Sequence, residues 1–121
     1  MPNSSALSSH SKTKNGNPIV SIVTVVLNGE FVLEETILSV IKQTYRNIEY
    51  IVIDGNSSDR TVDIIKNYSY FIHHWISKDD NGIYDAMNVG ASMATGQLIG
   101  FLNAGDYLFP NAISELTDSF K

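Results

Sequence analysis

The sequence predicts an α/β domain built on a mostly parallel sheet flanked by helices on both faces, and three observations support this. Short apolar, β-branched runs alternate with segments of helical periodicity. The apolar runs are almost continuous, which is typical of strands buried on both faces. Two carboxylates, Asp54 and Asp106, each follow such a run. Right-handed crossovers place the carboxyl ends of parallel strands on one edge, so both aspartates are expected at the edge where such sheets bind ligands.

The first strand and the first helix are predicted from residue 19 onwards. Residues 19–27 are almost entirely apolar and β-branched, and Asn28 and Gly29 end this strand. Inward-facing positions then recur at helical spacing, with Glu, Ser and Lys on the opposite face. These positions are Leu33, Ile37, Val40, Ile41 and Thr44.

A second strand and helix follow. Residues 50–53 predict a buried strand that ends at Asp54. Ser57 or Ser58 can cap a helix that begins near Asp59, whose carboxylate suits the positive end of the helix dipole. The inner stripe of this helix is Val62, Ile65 and Tyr68.

Two more strands are predicted over residues 71–76 and 98–102. The helix between them is expected to end with Gly96 at its C′ position. The last helix is expected to begin with Pro110 at its first position. The inward side chains are Ala86, Val89, Gly90 and Met93 in the first of these helices, and Ile113, Leu116 and Phe120 in the second.

The composition indicates a folded, acidic domain. Of the 121 residues, 43% are hydrophobic and 17% are charged, and the net charge is −5. This charge argues against nucleic acid as a partner, because phosphate contacts need clustered Lys and Arg. The absence of Cys excludes disulfides and thiolate metal sites and fits a reducing compartment. No apolar run reaches the roughly 18 residues of a membrane span, and there is no secretory signal, so a cytoplasmic location is expected.

The chain divides into two parts. Residues 1–17 are rich in Ser, Asn and Lys without periodicity, and we expect a disordered tail or leader, with a partner-binding arm as the alternative. Residues 18–121 form the single folded part.

Asp54 has two interpretations that the residues leave open. A carboxylate at the end of a buried strand can accept hydrogen bonds from a base or a ribose, and Gly55 would let the backbone approach the ligand. The alternative is a tight strand-to-helix turn in which Asp54 is a local acceptor.

Asp106 is the candidate metal ligand. It ends the small-residue loop 103–106. Hard cations such as Mg²⁺ or Mn²⁺ prefer oxygen ligands and usually take one or two carboxylates plus substrate phosphates. Such a cation would let an acidic domain hold a diphosphate leaving group. The alternative is a turn aspartate.

The stretch 79–88 is dense in polar side chains at the start of a helix, which suits an anion. Capping and an exposed face account for Asp79 and Asp80, whereas Asn88 has apolar neighbours and remains a candidate. His73 and His74 are adjacent, so they point to opposite faces of a strand and are expected to be structural.

Five segments in order resemble the amino-terminal part of a family 2 glycosyltransferase with the GT-A fold. They are residues 20–29, 35–45, 54–61, 80–88 and 94–106. The family transfers a sugar from a nucleotide diphosphate sugar to an acceptor hydroxyl, usually with inversion and with Mg²⁺ or Mn²⁺. The resemblance implies a donor-binding half over residues 18–121, with a UDP-sugar favoured and a GDP-sugar as the alternative.

The resemblance also implies roles for individual residues. Asp106 matches the metal-binding acid of the DxD-type motif, and Asn103 is a weaker ligand through its amide oxygen. Asp54 matches the nucleoside-binding aspartate, and the stretch 82–88 matches the loop and helix that line the donor pocket. The implied donor-binding residues are Val25, Leu27, Asn28, Asp54, Asn56, Gly82, Asp85, Asn88, Ala104 and Gly105.

The sequence departs from the family pattern at both motifs. The metal motif is reduced to one acid, Asp106, and Gly55 stands where many relatives have a second acid after the residue matching Asp54. The catalytic base and acceptor site of the family lie beyond the metal motif, so the base is expected beyond Lys121. We therefore expect that this chain alone does not transfer sugar.

The resemblance implies a saccharide or lipid-linked acceptor and a role in surface-polysaccharide biosynthesis. A peripheral position at the inner membrane face is the alternative to a free cytoplasmic one. A non-catalytic nucleotide-sugar-binding or scaffold module is the alternative function. Self-association to a homo-oligomer is expected if the sheet exposes apolar surface. A phosphoacceptor receiver domain would need an acidic pair after the first strand, where Leu27 and Asn28 stand.

Overall fold

A computed structural model describes residues 17–119. Four parallel strands form one sheet in the order β3-β2-β1-β4, and helices connect them. Except for Asn17, the predicted tail lies outside the described residues. The elements are β1 (Val20–Val26), α1 (Leu33–Ile41), β2 (Ile48–Asp54), α2 (Thr61–Asn67), β3 (His74–Ser77), α3 (Ile83–Met93), β4 (Leu98–Phe101) and α4 (Ala112–Asp118), with a 3-10 turn over Ser69–Phe71 before β3.

The strand order explains why helices cover both faces. From β1 the chain moves outward through β2 to β3, and then it crosses to the other side of β1 to form β4. Right-handed crossovers in opposite directions place their helices on opposite faces. The predicted parallel sheet with helices on both faces is therefore confirmed.

The two faces of the sheet carry separate apolar cores. Alternate strand residues such as Ile22 and Val52 pack with side chains from α1, α2 and α4. The residues between them, such as Val23 and Ile51, pack with α3. All seven residues of β1 are buried, which agrees with its continuous apolar sequence.

Helix α3 lies unusually close to the sheet. A Cβ added at Gly90 would lie 2.3 Å from the Cγ1 atom of Val23, so only glycine allows this approach. Gly96 has a similar role. Its added Cβ would lie 2.6 Å from the carbonyl oxygen of Ile19, and α3 ends earlier, at Met93. The predicted C′ role of Gly96 is therefore wrong, because close packing against β1 is what requires this glycine.

Several predicted helix ends are also wrong. Helix α1 ends at Ile41, so Thr44 lies beyond it, and its main-chain N–H donates to the carbonyl of Pro110. Helix α4 begins at Ala112, after Pro110 and Asn111. Leu116, which was expected to face inward, is 43% exposed, and Phe120 lies outside the described residues. Loop contacts between elements, which local periodicity does not encode, fix these ends.

The start of α2 differs from the prediction as well. Neither Ser57 nor Ser58 caps the helix, which begins at Thr61. The Asp59 carboxylate instead accepts the main-chain N–H of Thr61 at 2.9 Å. Ser57 is engaged by Asp54, which lies deeper in the fold.

Within residues 17–119, no helix is long and apolar enough to cross a membrane.

Candidate functional site

A cleft of about 210 Å³ opens at the carboxyl end of β1. The end of β1 forms one wall and the start of α3 forms the other. This is the point where the strand order reverses, which is where open α/β sheets bind ligands. The lining residues are Val25, Val26, Leu27, Asp80, Gly82, Ile83 and Ala86.

The loop after β1 is fixed to the loop after β2 by hydrogen bonds. The side-chain oxygen of Asn28 accepts the N–H of Ser58 at 2.8 Å, and the N–H of Asn28 donates to the hydroxyl of Ser57 at 2.7 Å. The Glu30 carboxylate accepts the N–H of Arg60, and the Asp59 carboxylate accepts the N–H of Glu30, both at 3.1 Å. The two loops therefore form one rigid rim beside the cleft.

Asp54 is the buried centre of this rim. It is fully buried at the end of β2, and its carboxylate accepts the N–H groups of Asn56 and Ser57 at 3.1 and 2.9 Å. The hydroxyls of Ser57 and Ser77 donate to it as well, at 2.5 and 2.7 Å. Donors of the chain itself thus occupy both carboxylate oxygens, as in the local-turn interpretation of Asp54.

The start of α3 forms the opposite wall. Gly82 precedes the helix with φ of 106°, a conformation that favours glycine. Its N–H donates to the Asp80 carboxylate at 3.0 Å, and the N–H of Asn81 donates to Asp85 at 3.0 Å. Asp80 also lies against Gly55, where an added Cβ would be 3.0 Å from a carboxylate oxygen. Asp80 therefore stands between the rim and α3 with one oxygen bonded by the main chain.

The loop 103–106 lies beside β1, on the side of β4. The N–H of Ala104 donates to the carbonyl of Val25, a cleft residue, at 3.1 Å. The N–H of Asp106 donates to the carbonyl of Asn103 at 3.0 Å, and Gly105 has φ of 101°. Asp106 is exposed.

One buried hydroxyl holds this loop from the other side. Thr36 of α1 is fully buried, and its Oγ1 donates to the carbonyl of Asp106 at 2.6 Å. The same oxygen accepts the N–H of Gly105 at 2.9 Å. Thr36 could not be singled out from the sequence, because its two partners lie about 70 residues away along the chain.

The loop suits a divalent cation only if a ligand completes the coordination. Within residues 17–119, no three His, Cys, Asp or Glu side chains cluster as a metal site. Asp106 offers an exposed carboxylate, and the half-buried Asn103 can add an amide oxygen. Mg²⁺ and Mn²⁺ are commonly held by one or two carboxylates with waters and substrate phosphates, so these residues fit a cation that arrives with a diphosphate.

The structure gathers some of the predicted residues and separates others. Val25, Leu27 and Gly82 line the cleft together. Asn88 is exposed on α3 and is not among the lining residues, and Asn56 is exposed and bonded to Asp79. The cleft residues missed from the sequence are Val26 and Asp80, whereas Ile83 and Ala86 lie in the stretch 82–88 that the resemblance implied.

A signal for Asp80 was present in the sequence. It lies in the loop between a strand and a helix, at the same sheet edge as Asp54, but its neighbours Asp79 and Asn81 made an exposed turn the simpler interpretation.

A second groove of about 420 Å³ lies between α1 and residues 107–110. Glu34, Glu35 and Lys42 stand along it, together with the exposed ring of Phe109. It contains none of the residues predicted to bind a ligand.

Comparison with known proteins identifies the family. The model of the family described as Glycosyl transferase family 2 matches residues 21–121. The chain belongs to glycosyltransferase family 2. It is 38% identical over 106 residues to an uncharacterised glycosyltransferase of Mycobacterium tuberculosis, covering 86% of this chain and 40% of that protein. It is 37% identical over 98 residues to a PGL/p-HBAD biosynthesis glycosyltransferase of Mycobacterium bovis, covering 76% and 37%.

Solved glycosyltransferases share the fold, which confirms the predicted GT-A architecture of this half. S. aureus TarS in complex with UDP matches with a TM-score of 0.75 and 22% identity, covering 82% of this chain and 31% of that chain. The mannosyltransferase PcManGT from Pyrobaculum calidifontis, in complex with GDP-Man and Mn²⁺, matches with a TM-score of 0.73 and 19% identity, covering 84% and 31%. The family 2 chain thus spans less than half the length of these relatives.

Proposed function

We propose that this family 2 chain is the donor-binding half of an inverting glycosyltransferase that uses a nucleotide diphosphate sugar. The observation that carries this proposal is the position of the cleft, which lies at the carboxyl end of β1 and is hydrogen-bonded through Val25 to the loop that bears Asp106. A base and ribose in the cleft would direct the diphosphate towards that loop. The volume of the cleft is below that of complete ligand sites, which is about 300–1,000 Å³, so the cleft suits one part of the donor.

The nucleotide favoured is UDP. Two TarS structures contain UDP or UDP-GlcNAc, whereas the PcManGT structure contains GDP-Man, so a GDP-sugar is the alternative. The apolar side chains of Leu27 and Ile83 would contact the base. Asp80 has a carboxylate oxygen beyond the one bonded to Gly82, which can accept a hydrogen bond from the nucleoside. Asp54 would act by holding the rim.

A bound Mg²⁺ or Mn²⁺ would neutralise the negative charge that develops on the diphosphate leaving group. In this chain Asp106 would hold the cation, with Asn103 as a weaker ligand. Gly105 and Ala104 would let the main chain approach the phosphates, because neither carries a bulky side chain.

We assign no acceptor-side residue among the described residues. An inverting transfer needs a general base within hydrogen-bond reach of the acceptor hydroxyl, and the resemblance supports none within this chain. We therefore propose that the chain alone binds the donor without transferring sugar. A saccharide or lipid-linked acceptor, a role in surface-polysaccharide assembly and a location in the cytoplasm or at the inner membrane face complete the proposal.

Calorimetric titration with UDP and GDP, with and without Mn²⁺, tests the donor site. We expect UDP to bind more tightly when Mn²⁺ is present, because the diphosphate and Asp106 share the cation. Asp106→Ala should abolish this Mn²⁺ dependence. Asp63→Ala, which removes an exposed carboxylate on α2, should leave it unchanged. If the folded chain binds no nucleotide under any of these conditions, the donor site does not exist.

A sugar-transfer assay separates the alternative function, because nucleotide binding alone does not. A non-catalytic binding or scaffold module would also bind the nucleotide. Sugar transfer by a longer form of the protein, lost in Asp106→Ala, would favour the enzyme, whereas binding without transfer in that form would favour the module.

A further inference from the structure

The loop 103–106, which is proposed to hold the cation, is held from two directions. On one side, the N–H of Ala104 is bonded to the carbonyl of Val25 in β1. On the other side, α1 reaches the loop only through the hydroxyl of Thr36, among the hydrogen bonds of the described residues. The β1 contact fixes where the loop leaves the sheet, and the Thr36 contact fixes its far end, where Asp106 stands.

The two bonds of Thr36 bracket the Gly105–Asp106 peptide. Oγ1 accepts the N–H of Gly105 at 2.9 Å and donates to the carbonyl of Asp106 at 2.6 Å. The carbonyl of Val32 is 3.5 Å from the same oxygen, a much weaker partner for its single proton. Because the hydroxyl grips the main chain on both sides of this peptide, it sets the direction in which the Asp106 side chain leaves the backbone.

Thr36 contacts the backbone of the loop that would hold the cation, and it would not contact the cation itself. The hydroxyl does not point at the cleft, and Thr36 is fully buried under the loop. Outer-shell partners orient the groups that bind a metal, and their loss typically lowers metal affinity by about 10- to 100-fold. A site with one carboxylate depends strongly on such orientation, since no second acidic ligand can compensate.

We propose that Thr36 is a positioning residue that sets the affinity of the donor site for its cation, by holding Gly105 and Asp106 in the conformation that presents the carboxylate. This role rests on the proposed function, because it requires a cation that binds with the nucleotide diphosphate. It goes beyond the metal motif itself, since Thr36 lies on a different element and does not touch the cation.

The test measures the Mn²⁺ concentration needed for UDP binding in the full chain. Thr36→Val keeps the shape of the side chain and removes both hydrogen bonds. We expect it to raise the required Mn²⁺ concentration by about 10- to 100-fold while leaving the metal-free affinity for UDP unchanged. Thr36→Ser keeps the hydroxyl and should behave like the original chain.

Thr24→Val is the matched control. It also removes a buried threonine hydroxyl, which bonds the hydroxyl of Tyr50 at 2.9 Å, but it does not touch the loop. It should lower stability without changing the Mn²⁺ requirement. An equal Mn²⁺ requirement in Thr36→Val and the original chain would overturn the role of Thr36, and so would an equal shift in Thr24→Val.

Amide hydrogen exchange in the original chain gives a test that needs no variant. The N–H of Gly105 should exchange slowly despite the exposure of this loop, because Thr36 accepts it. Fast exchange there would overturn the proposal even if Thr36→Val did not fold. If the original chain binds UDP without any Mn²⁺ dependence, the metal part of the proposed function fails and the role of Thr36 fails with it. A failure confined to Thr36→Val leaves the proposed function standing.

Discussion

Asn28 and Asn56 have left-handed backbone conformations, with φ of 53° and 71°, at the turns that follow β1 and β2. This conformation costs roughly 1–2 kcal/mol for a residue with a side chain. Asn28 offsets it by accepting the N–H of Ser58, and Asn56 does so by donating to Asp79, at about 0.5–1.5 kcal/mol for each bond. Both asparagines therefore stabilise the conformation of the rim. This role is additional to the ligand contact expected from the sequence.

His73 makes the β2–β3 edge sensitive to pH. Its Nδ1 accepts the N–H of Tyr50 at 2.9 Å, which only an unprotonated Nδ1 can do. Burial lowers the pKa of His73, and His74 lowers it further, whereas Glu49 raises it. The neutral form is thus favoured in the folded state. The hydrogen bond of neutral His73 contributes fully to stability above the unfolded pKa of about 6.5. This contribution is lost as the pH falls through the lower folded pKa.

We therefore expect the free energy of unfolding to fall between about pH 7.5 and about pH 5, in part because this histidine becomes protonated and its Nδ1 can no longer accept the N–H of Tyr50. Urea unfolding at the two pH values measures the change. His73→Asn, whose amide oxygen can accept the same N–H, should reduce the pH dependence. His74→Asn provides the control at the neighbouring position. An unchanged pH dependence in His73→Asn would contradict this account.

At the scale of elements, the sequence predicted the strands better than the ends of the helices. Residues 19–27 were recognised as a buried strand because burial on both faces leaves a continuous apolar run, and β1 occupies Val20–Val26. Helix ends depend on contacts that are distant in sequence. The main-chain N–H of Thr44 is bonded to Pro110, and the Gln43 side chain bonds Phe109 and Ile113, so the end of α1 and the start of α4 fix one another.

The candidate site was predictable only in part, for a related reason. The carboxyl edge of the sheet follows from the βα alternation, so Asp54 and Asp106 were expected there and lie there. The sequence did not reveal that Ser57 and Ser77 occupy Asp54, or that Asp80 reaches the cleft. Those facts depend on which loops meet across the edge, and this is set by the strand order.

At the scale of the whole molecule, the reversal of strand order positions the site. Because β4 pairs with β1 on the side opposite to β2, the loop after β4 meets the end of β1 at the carboxyl edge. Helix α3 packs on β1 and β2 and leaves the same face of β4 less covered. The side chains of Ile99 and Phe101 are each 44% exposed as a result.

This exposed edge predicts self-association of the chain. Within residues 17–119, β4 pairs only with β1, and an open edge with apolar side chains favours pairing with another chain. We expect light scattering to detect oligomers whose size increases with protein concentration. Phe101→Lys should reduce this association. Tyr70→Lys is the control. The ring of Tyr70 is 92% exposed on the 3-10 turn, and this substitution should leave the oligomers unchanged. A monodisperse monomer at high concentration would contradict the prediction.

This family 2 chain is proposed to bind a nucleotide diphosphate between β1 and α3, with its cation at the loop 103–106. Paramagnetic broadening of backbone amide signals by Mn²⁺, with UDP present and absent, tests it most directly. The account predicts that, with UDP, broadening centres on Gly105 and Asp106 while the amides of Leu27 and Ile83 shift. Broadening that is unchanged when UDP is added, or that centres away from the loop 103–106, would contradict the assignment of the donor site.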